Sequence, residues 1–299
     1  MPERNSIPQP SSPPSVSAEE VFAPEQAGFS ERIALGVEYL GSHYSGFQSQ
    51  ANASATIQQC LETAIGSVAN HPVRLHCAGR TDAGVHATNQ VVHFDTRAHR
   101  KPYGWLLGVN TRLPADISLQ WVKPTAQDFH ARFMAQARRY RYVIYNHVVP
   151  SGILARNVTW ERRPLDVKRM QTAAGQVLGR HDFSSFRAAE CQAKSPVRTV
   201  HHCKVSRHGK LIVIDVRADA FLHHMVRNIA GVLMAIGSGD AAPDWVTALL
   251  AARSRRAGGV TARPEGLYLV GAEYDPRFQL PEPALGPAFL GLALNGEHG

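Results

Sequence analysis

With 299 residues, 44% of them hydrophobic, the chain is long enough to bury one large core or two of ordinary size, which excludes a natively unfolded protein. No run approaches the ~18 unbroken apolar residues of a membrane span, and the N-terminus lacks the basic start and apolar stretch of a secretory signal, so no membrane partner and a cytoplasmic location are expected. The 32 Lys and Arg against 24 Asp and Glu leave a charge of +8 and a pI near 9.6, a balance that favours polyanionic partners, nucleic acid first.

Residues 1–28 carry six of the 19 prolines and no apolar period, which predicts a disordered leader. From Arg32, alternation of Ile33, Leu35, Val37 and Tyr39 with smaller or polar residues predicts a half-buried strand. Thr56 with Gln59 three residues on is a capping-box start, and Ile57, Leu61, Ile65 and Val68 line one helix face. Strands are predicted at Val73–Ala78, Gln90–Phe94 and Ala137–Tyr145, the last with Tyr140, Tyr142 and Ile144 on one side.

The second half repeats this grammar. Asp166 caps a helix whose stripe Val167, Met170, Ala174, Val177 and Leu178 ends at Gly179. A hairpin follows, Val200–Ser206 and Leu211–Ala218 around His208-Gly209, then a strongly apolar helix from Leu222 to Ile236, a helix Trp245–Ala252 and a strand Leu267–Tyr274. Beyond Pro276, prolines and a loose apolar ending predict an extended arm on the surface. Strands followed by helices in two successive halves predict an α+β chain of two similar subdomains: leader 1–28, first subdomain 29–150, second subdomain 151–275, arm 276–299.

Several signals dissolve on inspection. Cys60, Cys77, Cys191 and Cys203 contain no C-x-x-C pair, so reduced thiols are expected rather than disulfides or structural zinc. Gly237, Ser238, Gly239 and Ala242 fit a dinucleotide fingerprint, but they follow a helix instead of a strand, and Gly237 reads as a helix C-cap. The pairs His201-His202 and His223-His224 suggest a metal, yet neighbours diverge on a strand and lie ~100° apart on a helix, so neither pair is expected to converge on an ion.

Two signals survive. Phe129 to Tyr145 interleaves His130, Arg132, Arg138, Arg139 and Arg141 with Phe129, Phe133, Tyr140, Tyr142 and Tyr145 and holds no acid. Guanidinium groups neutralise phosphates and aromatic faces receive unstacked bases, although a strand with a solvated basic face and a core tyrosine face reads equally well. Cys77-Ala78-Gly79-Arg80-Thr81-Asp82-Ala83-Gly84-Val85-His86-Ala87 runs a buried-type strand into a glycine-flanked turn bearing one carboxylate, with Arg80 as its neighbouring cation. An Asx-turn is the plain alternative. No second carboxylate can be placed across from Asp82 as a glycosidase requires, so a lone ionised Asp82 suits a nucleophile on a bound base or sugar.

The segment Gly79–His86, GRTDAGVH, closely resembles the active-site motif of the tRNA pseudouridine synthase A family. The likeness extends through YLGSHYSGFQ at 39–48, FHARF at 129–133, RRYRY at 138–142, DFSSFR at 182–187, FLHHMVRN at 221–228 and EGLYL at 265–269. Leu40 and Phe47 depart from the Asp and Trp common there. The resemblance implies two ferredoxin-like subdomains with antiparallel sheets joined edge to edge, an RNA cleft between them, and a homodimer. It further implies isomerisation of uridine to pseudouridine at roughly positions 38 to 40 in the tRNA anticodon stem-loop, a structure read mainly by shape, with no cofactor and no metal.

By position, the resemblance makes Asp82 the nucleophile and Arg227 its ion-pair partner. Tyr140 becomes the ring that stacks on a flipped uracil, Leu267 the opposite wall, and Arg80 the residue that displaces the target nucleotide. Arg100, Phe129, His130, Ala131, Arg132, Phe133 and the segment Glu190, Cys191, Gln192, Ala193 and Lys194 are implied as RNA contacts. A non-catalytic RNA-binding module and a nucleoside hydrolase are the competing readings.

Overall fold

The computed structural model describes residues 31–49 and 55–294; the expected leader lies outside the described residues. One mixed α+β body results, organised on a ten-stranded and mostly antiparallel sheet. In chain order the principal elements of the first half are β1 (Glu31–Tyr39), α1 (Ile57–Ala69), β2 (His76–Cys77), β3 (His86–Thr96), α2 (Pro102–Asn110) and β4 (Ile117–Thr125). The second half supplies β5 (Ala137–Asn146), β6 (Thr159–Glu161), α3 (Val167–Gly175), β7 (Gly179–Asp182), β8 (Val197–His208), β9 (Leu211–Ala218), α4 (Met225–Gly237), α5 (Trp245–Ala252), β10 (Leu267–Glu273) and α6 (Ala288–Leu294).

The strand order is β4-β1-β3-β10-β5-β9-β8-β7, with β2 on the edge of β3 and β6 on the edge of β5. Each half therefore repeats one spatial pattern, β4-β1-β3-β2 in the first and β10-β5-β9-β8 in the second. Every neighbouring pair within these two four-strand patterns is antiparallel, and β6 adds to β5 in parallel. The halves meet where β10 runs parallel to β3, Tyr268 opposite His86 and Leu269 opposite Ala87. Among the described residues β5 pairs with β6, β9 and β10, so in the sheet it stands with the strands of the second half.

Helices α1 to α5 cover one face, and that face holds the main core. Alternation in β5 sends Tyr140, Tyr142 and Ile144 into it, as the periodicity requires. The opposite face is closed by two smaller clusters, one around Trp121, Phe129 and Phe278 and one around Val143, Tyr268 and Leu290. The Thr56 hydroxyl accepts the Gln59 amide at 3.3 Å, the predicted cap, which contributes ~1 kcal/mol to a helix start.

Several expectations are corrected. Only His76 and Cys77 of the Val73–Ala78 run join a ladder, while β3 begins four residues before Gln90. Helix α3 ends at Gly175, and Gly179 opens β7 with φ +93°. Gly237 is the last residue of α4, not its cap: a Cβ there would lie 2.8 Å from Met170, so the glycine permits close helix packing. Among the described residues the arm beyond Pro276 is not simply extended, since it includes α6 and buries Phe278 and Leu290. Among the described residues no helix is long and apolar enough to cross a membrane, and the four cysteines are free.

Candidate active site

The turn that carries Asp82 is built at the seam of the sheet. β2 pairs with the Val92–His93 end of β3 and β10 with its His86–Ala87 end, and residues 78–85 loop out between them. Buried Gln90 anchors the start of the loop, accepting from the Gly79 amide at 3.3 Å and donating to the Gly79 carbonyl at 2.5 Å. Thr81 is held on both sides, its hydroxyl 2.8 Å from Tyr39 Oη and its carbonyl accepting the Phe47 amide at 3.0 Å. A Val85 N–H to Asp82 C=O bond of 3.1 Å closes the turn. Gly84 sits at φ +78°, where a Cβ would also press within 2.9 Å of Pro264. The loop geometry is thus over-determined by groups outside it, and Asp82 is presented rigidly.

His86 ties this turn to β10's approach. Its Nδ1 accepts the Gly41 amide at 2.9 Å, so its Nε2–H donates to the Glu265 carbonyl at 3.0 Å. Burial drives its pKa down to about 4, keeping the ring in the neutral form that this pair of bonds requires.

Asp82 meets three cationic or basic groups at the start of α4. Arg227 Nη1 donates to Asp82 Oδ2 at 3.2 Å, while Arg227 Nε donates to the Ala262 carbonyl at 2.9 Å, which fixes the guanidinium plane. His223 Nε2 lies 3.2 Å from Oδ1 and His224 Nε2 3.3 Å from Oδ2. The carboxylate remains 26% exposed, open to the cleft. A carboxylate so placed, with one edge held by Arg227 and open to the cleft, can act as a nucleophile or a base.

Here the structure overturns two sequence inferences. The local reading made Arg80 the cation beside Asp82, whereas the guanidinium bonded to it belongs to Arg227, 145 residues away, the residue that the resemblance names for that pairing. The adjacent histidines do converge, because His224 adopts φ +61° and the pair lies on neither a strand nor a regular helix. One ligand atom from each of Asp82, His223 and His224 lies within 4.8 Å of the others, a spacing that could also hold a cation. Burial pushes the His224 pKa down, with the Asp82 charge acting against that shift.

Asp82 opens on a cleft of about 1780 Å³, well beyond the ~300–1,000 Å³ of ordinary small-molecule pockets. Tyr140 and Leu267 line it from the core side, 7% and 6% exposed, and Phe221 packs edge-on against Tyr140 at 5.0 Å. Arg74, Arg80, Arg132 and Arg198 reach the same space, as do His130, Phe133 and the segment Glu190 to Ala193.

Other expected contacts fall elsewhere. Phe129 and Ala131 are fully buried in the core cluster around Phe278 and cannot touch RNA in this conformation. Arg100 is outside the cleft lining and donates to the Val68 carbonyl at the end of α1; Lys194 is also outside it. The arginine-rich strand β5 is structural: Arg139 and Arg141 share Asp215, Arg141 also binds the carbonyls of Leu285 and Gly286, and Arg138 binds those of Ala78, Arg132, Ala135 and Asp219. Alternation puts Arg139 and Arg141 on the side away from Tyr140 and Tyr142, where the arm covers Arg141, while Arg138 shares the side of Tyr140 and lines the cleft.

A family model described as tRNA pseudouridine synthase matches residues 36–134 and 173–275, which include the Asp82 turn and the start of α4. The chain belongs to the tRNA pseudouridine synthase family. The tRNA pseudouridine synthase A of Pseudomonas aeruginosa is 58% identical over 259 residues, 87% of this chain and 91% of that one. Those of Coxiella burnetii (strain Dugway 5J108-111) and Vibrio cholerae are 55% and 53% identical, covering 87% and 88% of this chain and 99% and 100% of theirs. A crystal structure of a Cbf5-Nop10-Gar1 complex covers 80% of this chain and 49% of that chain at 10% identity, with a TM-score of only 0.33. As a tRNA pseudouridine synthase the protein is an enzyme, an isomerase that forms pseudouridine from uridine.

Proposed function

We propose that this tRNA pseudouridine synthase acts in the cytoplasm on the anticodon stem-loop, at roughly positions 38 to 40, taking the target uridine out of its stack before reacting with it. The observation that carries this reading is the placement of Asp82: an aspartate paired with Arg227 at 3.2 Å, on a rigid turn, at the wall of a cleft too large for a mononucleotide alone. Asp82 is the nucleophile, attacking the anomeric carbon of the ribose or carbon six of the uracil ring. In either route the bond from the anomeric carbon to N1 breaks and one to C5 forms. The C5 proton is lost and N1 gains one, so neither an oxidant nor an energy source is consumed.

Tyr140 offers its ring to the flipped uracil, with Phe221 holding that ring edge-on and Leu267 forming the opposite wall. Arg80, exposed at the cleft rim, enters the space the uridine leaves. Arg132 and the segment Glu190 to Ala193 meet the backbone of the arm. The repeated strand order within each half supports a duplicated ferredoxin-like architecture, with the cleft at the seam between the copies. A homodimer completes the proposed enzyme.

The test is to incubate unmodified tRNA transcripts with the purified protein and map pseudouridine chemically at single-nucleotide resolution. Product at positions 38 to 40, with no free uracil, is expected. Product confined to another arm contradicts the substrate assignment, and release of free uracil would make the protein a hydrolase.

A further inference from the structure

Two buried anchors turn a pair of adjacent histidines toward one point. Leu222 and Met225 sink into the main core on either side of His223-His224, and a Met225 N–H to Leu222 C=O bond of 3.0 Å closes the bend between them. The His223 carbonyl accepts the Ala188 amide at 2.9 Å and the His224 carbonyl the Asn228 amide at 2.9 Å, so the backbone of the pair is held from both sides. With His224 at φ +61°, a conformation uncommon for a non-glycine residue, the two imidazoles stand side by side, 4.0 Å between centroids, instead of diverging.

Their Nε2 atoms face the two oxygens of Asp82, His223 at 3.2 Å from Oδ1 and His224 at 3.3 Å from Oδ2. Those spacings are close to the ~3.3 Å that separates neighbouring donors in a tetrahedron with metal–ligand bonds of ~2.0 Å. One ligand atom from each residue falls within 4.8 Å of the others, and all three side chains border the cleft, which leaves further coordination positions open to water. Arg227 takes Oδ2, so Oδ1 is available to an ion. Two imidazole nitrogens and one carboxylate oxygen suit Zn²⁺, Co²⁺ or Ni²⁺, whereas Mg²⁺ and Ca²⁺ demand mainly oxygen ligands.

We propose that Asp82, His223 and His224 form a binding site for a divalent transition-metal ion, Zn²⁺ above all, and that the ion silences the enzyme by taking up its nucleophile. The silencing rests on the reading of Asp82 as that nucleophile. The carboxylate oxygen that coordinates the ion is then no longer free to attack carbon, and the ion with its water fills the place the uridine must reach. Arg74, Arg80, Arg132 and Arg198 reach the cleft independently of these three side chains, so the RNA arm still docks. Zinc therefore lowers the rate at saturating RNA rather than the affinity for RNA.

The first experiment adds Co²⁺ alone to the full-length enzyme and records its visible spectrum. One ion per chain is expected to bind with the intense absorption of a four- or five-coordinate site; Zn²⁺ should remove that band and a large excess of Mg²⁺ should not. His223→Gln and His224→Gln should each weaken cobalt binding more than about tenfold, since even a residue that only supports a metal ligand costs that much when lost. His201→Gln, an exposed histidine elsewhere, should not. Zinc at more than about ten times its Kd should slow single-turnover pseudouridine formation by the parent at least about tenfold, because only the ion-free fraction reacts. A chelator should restore the rate, and each histidine variant, judged against its own zinc-free rate, should need correspondingly more zinc. Parent crystals soaked with zinc and read by anomalous scattering place the ion without reliance on any variant. The absence of a cobalt band, a thiolate charge-transfer band that puts the ion on Cys77 or Cys191 of the cleft wall, or binding that survives both histidine variants overturns the site and leaves the nucleophile reading intact. An ion held among the three side chains while pseudouridine forms at full rate overturns the silencing, and with it Asp82 as the nucleophile.

Discussion

Replacing Asp82 by alanine is expected to abolish pseudouridine formation, a loss on the order of 10⁴-fold or more, while tRNA affinity stays within a few-fold of the parent. The asymmetry follows from the geometry. Asp82 presents one partly exposed carboxylate to a cleft whose affinity for RNA comes from other groups, among them Arg74, Arg80, Arg132 and Arg198. Removing a negative charge from a basic cleft does not weaken its attraction for a polyanion. The turn itself should survive, because Thr81, Gln90 and the Asp82 main-chain carbonyl hold it, and none of those bonds uses the Asp82 side chain. Single-turnover assays by product mapping, beside binding isotherms, measure both halves. Substantial activity in Asp82→Ala would remove the nucleophile assignment, and lost activity with equally lost binding would reduce Asp82 to a structural residue.

Arg227→Met is expected to lower single-turnover activity by about 10²- to 10³-fold, and Arg227→Lys to fall between that variant and the parent. Arg227 is only 14% exposed and spans two acceptors, the Ala262 carbonyl and Asp82 Oδ2. A lysine ammonium supplies the charge as a single point and cannot reproduce the planar fork that reaches both. Methionine fills similar volume without charge, leaving Asp82 beside the two imidazoles alone. Thermal melts distinguish a misfolded variant from an inactive one. A lysine variant no better than methionine would show that position, not charge, is what Arg227 provides.

How much of this was legible in the sequence depends on the range of the interaction. Short-range signals carried well: Thr56 caps α1, the stripe Ile57, Leu61, Ile65 and Val68 is buried, and α5 begins and ends where the apolar pattern does. Elements with mixed or weak signals were missed. Helix α2 contains Gly104 and Gly108 within nine residues, and β4 carries Lys123 and Pro124 because it is an edge strand, where a missing N–H costs no ladder bond. The Asp82 turn was visible from its glycines, yet Arg227 stands 145 residues away and entered only through family likeness.

His223 and His224 were dismissed by a rule that assumes regular backbone. A residue at φ +61° just before a helix breaks that rule, and non-glycine residues there are uncommon enough to mark functional turns. Conversely, the arginines of β5 looked like an RNA surface by composition, yet Arg139 and Arg141 are paired with Asp215 of β9 and Arg141 also holds the C-terminal arm, which leaves Arg138 alone of the three on the cleft. Composition reports which groups are present; only the fold decides which remain free to meet a ligand.

The most direct test of the central claim is a crystal structure of the Asp82→Asn variant bound to an unmodified anticodon stem-loop. The account predicts the target uridine swung out of its stack, its ring against Tyr140, and its anomeric carbon or carbon six within ~3.5 Å of the residue at position 82. A stem-loop seated with that uridine still stacked, or with position 82 facing only phosphate, would contradict it.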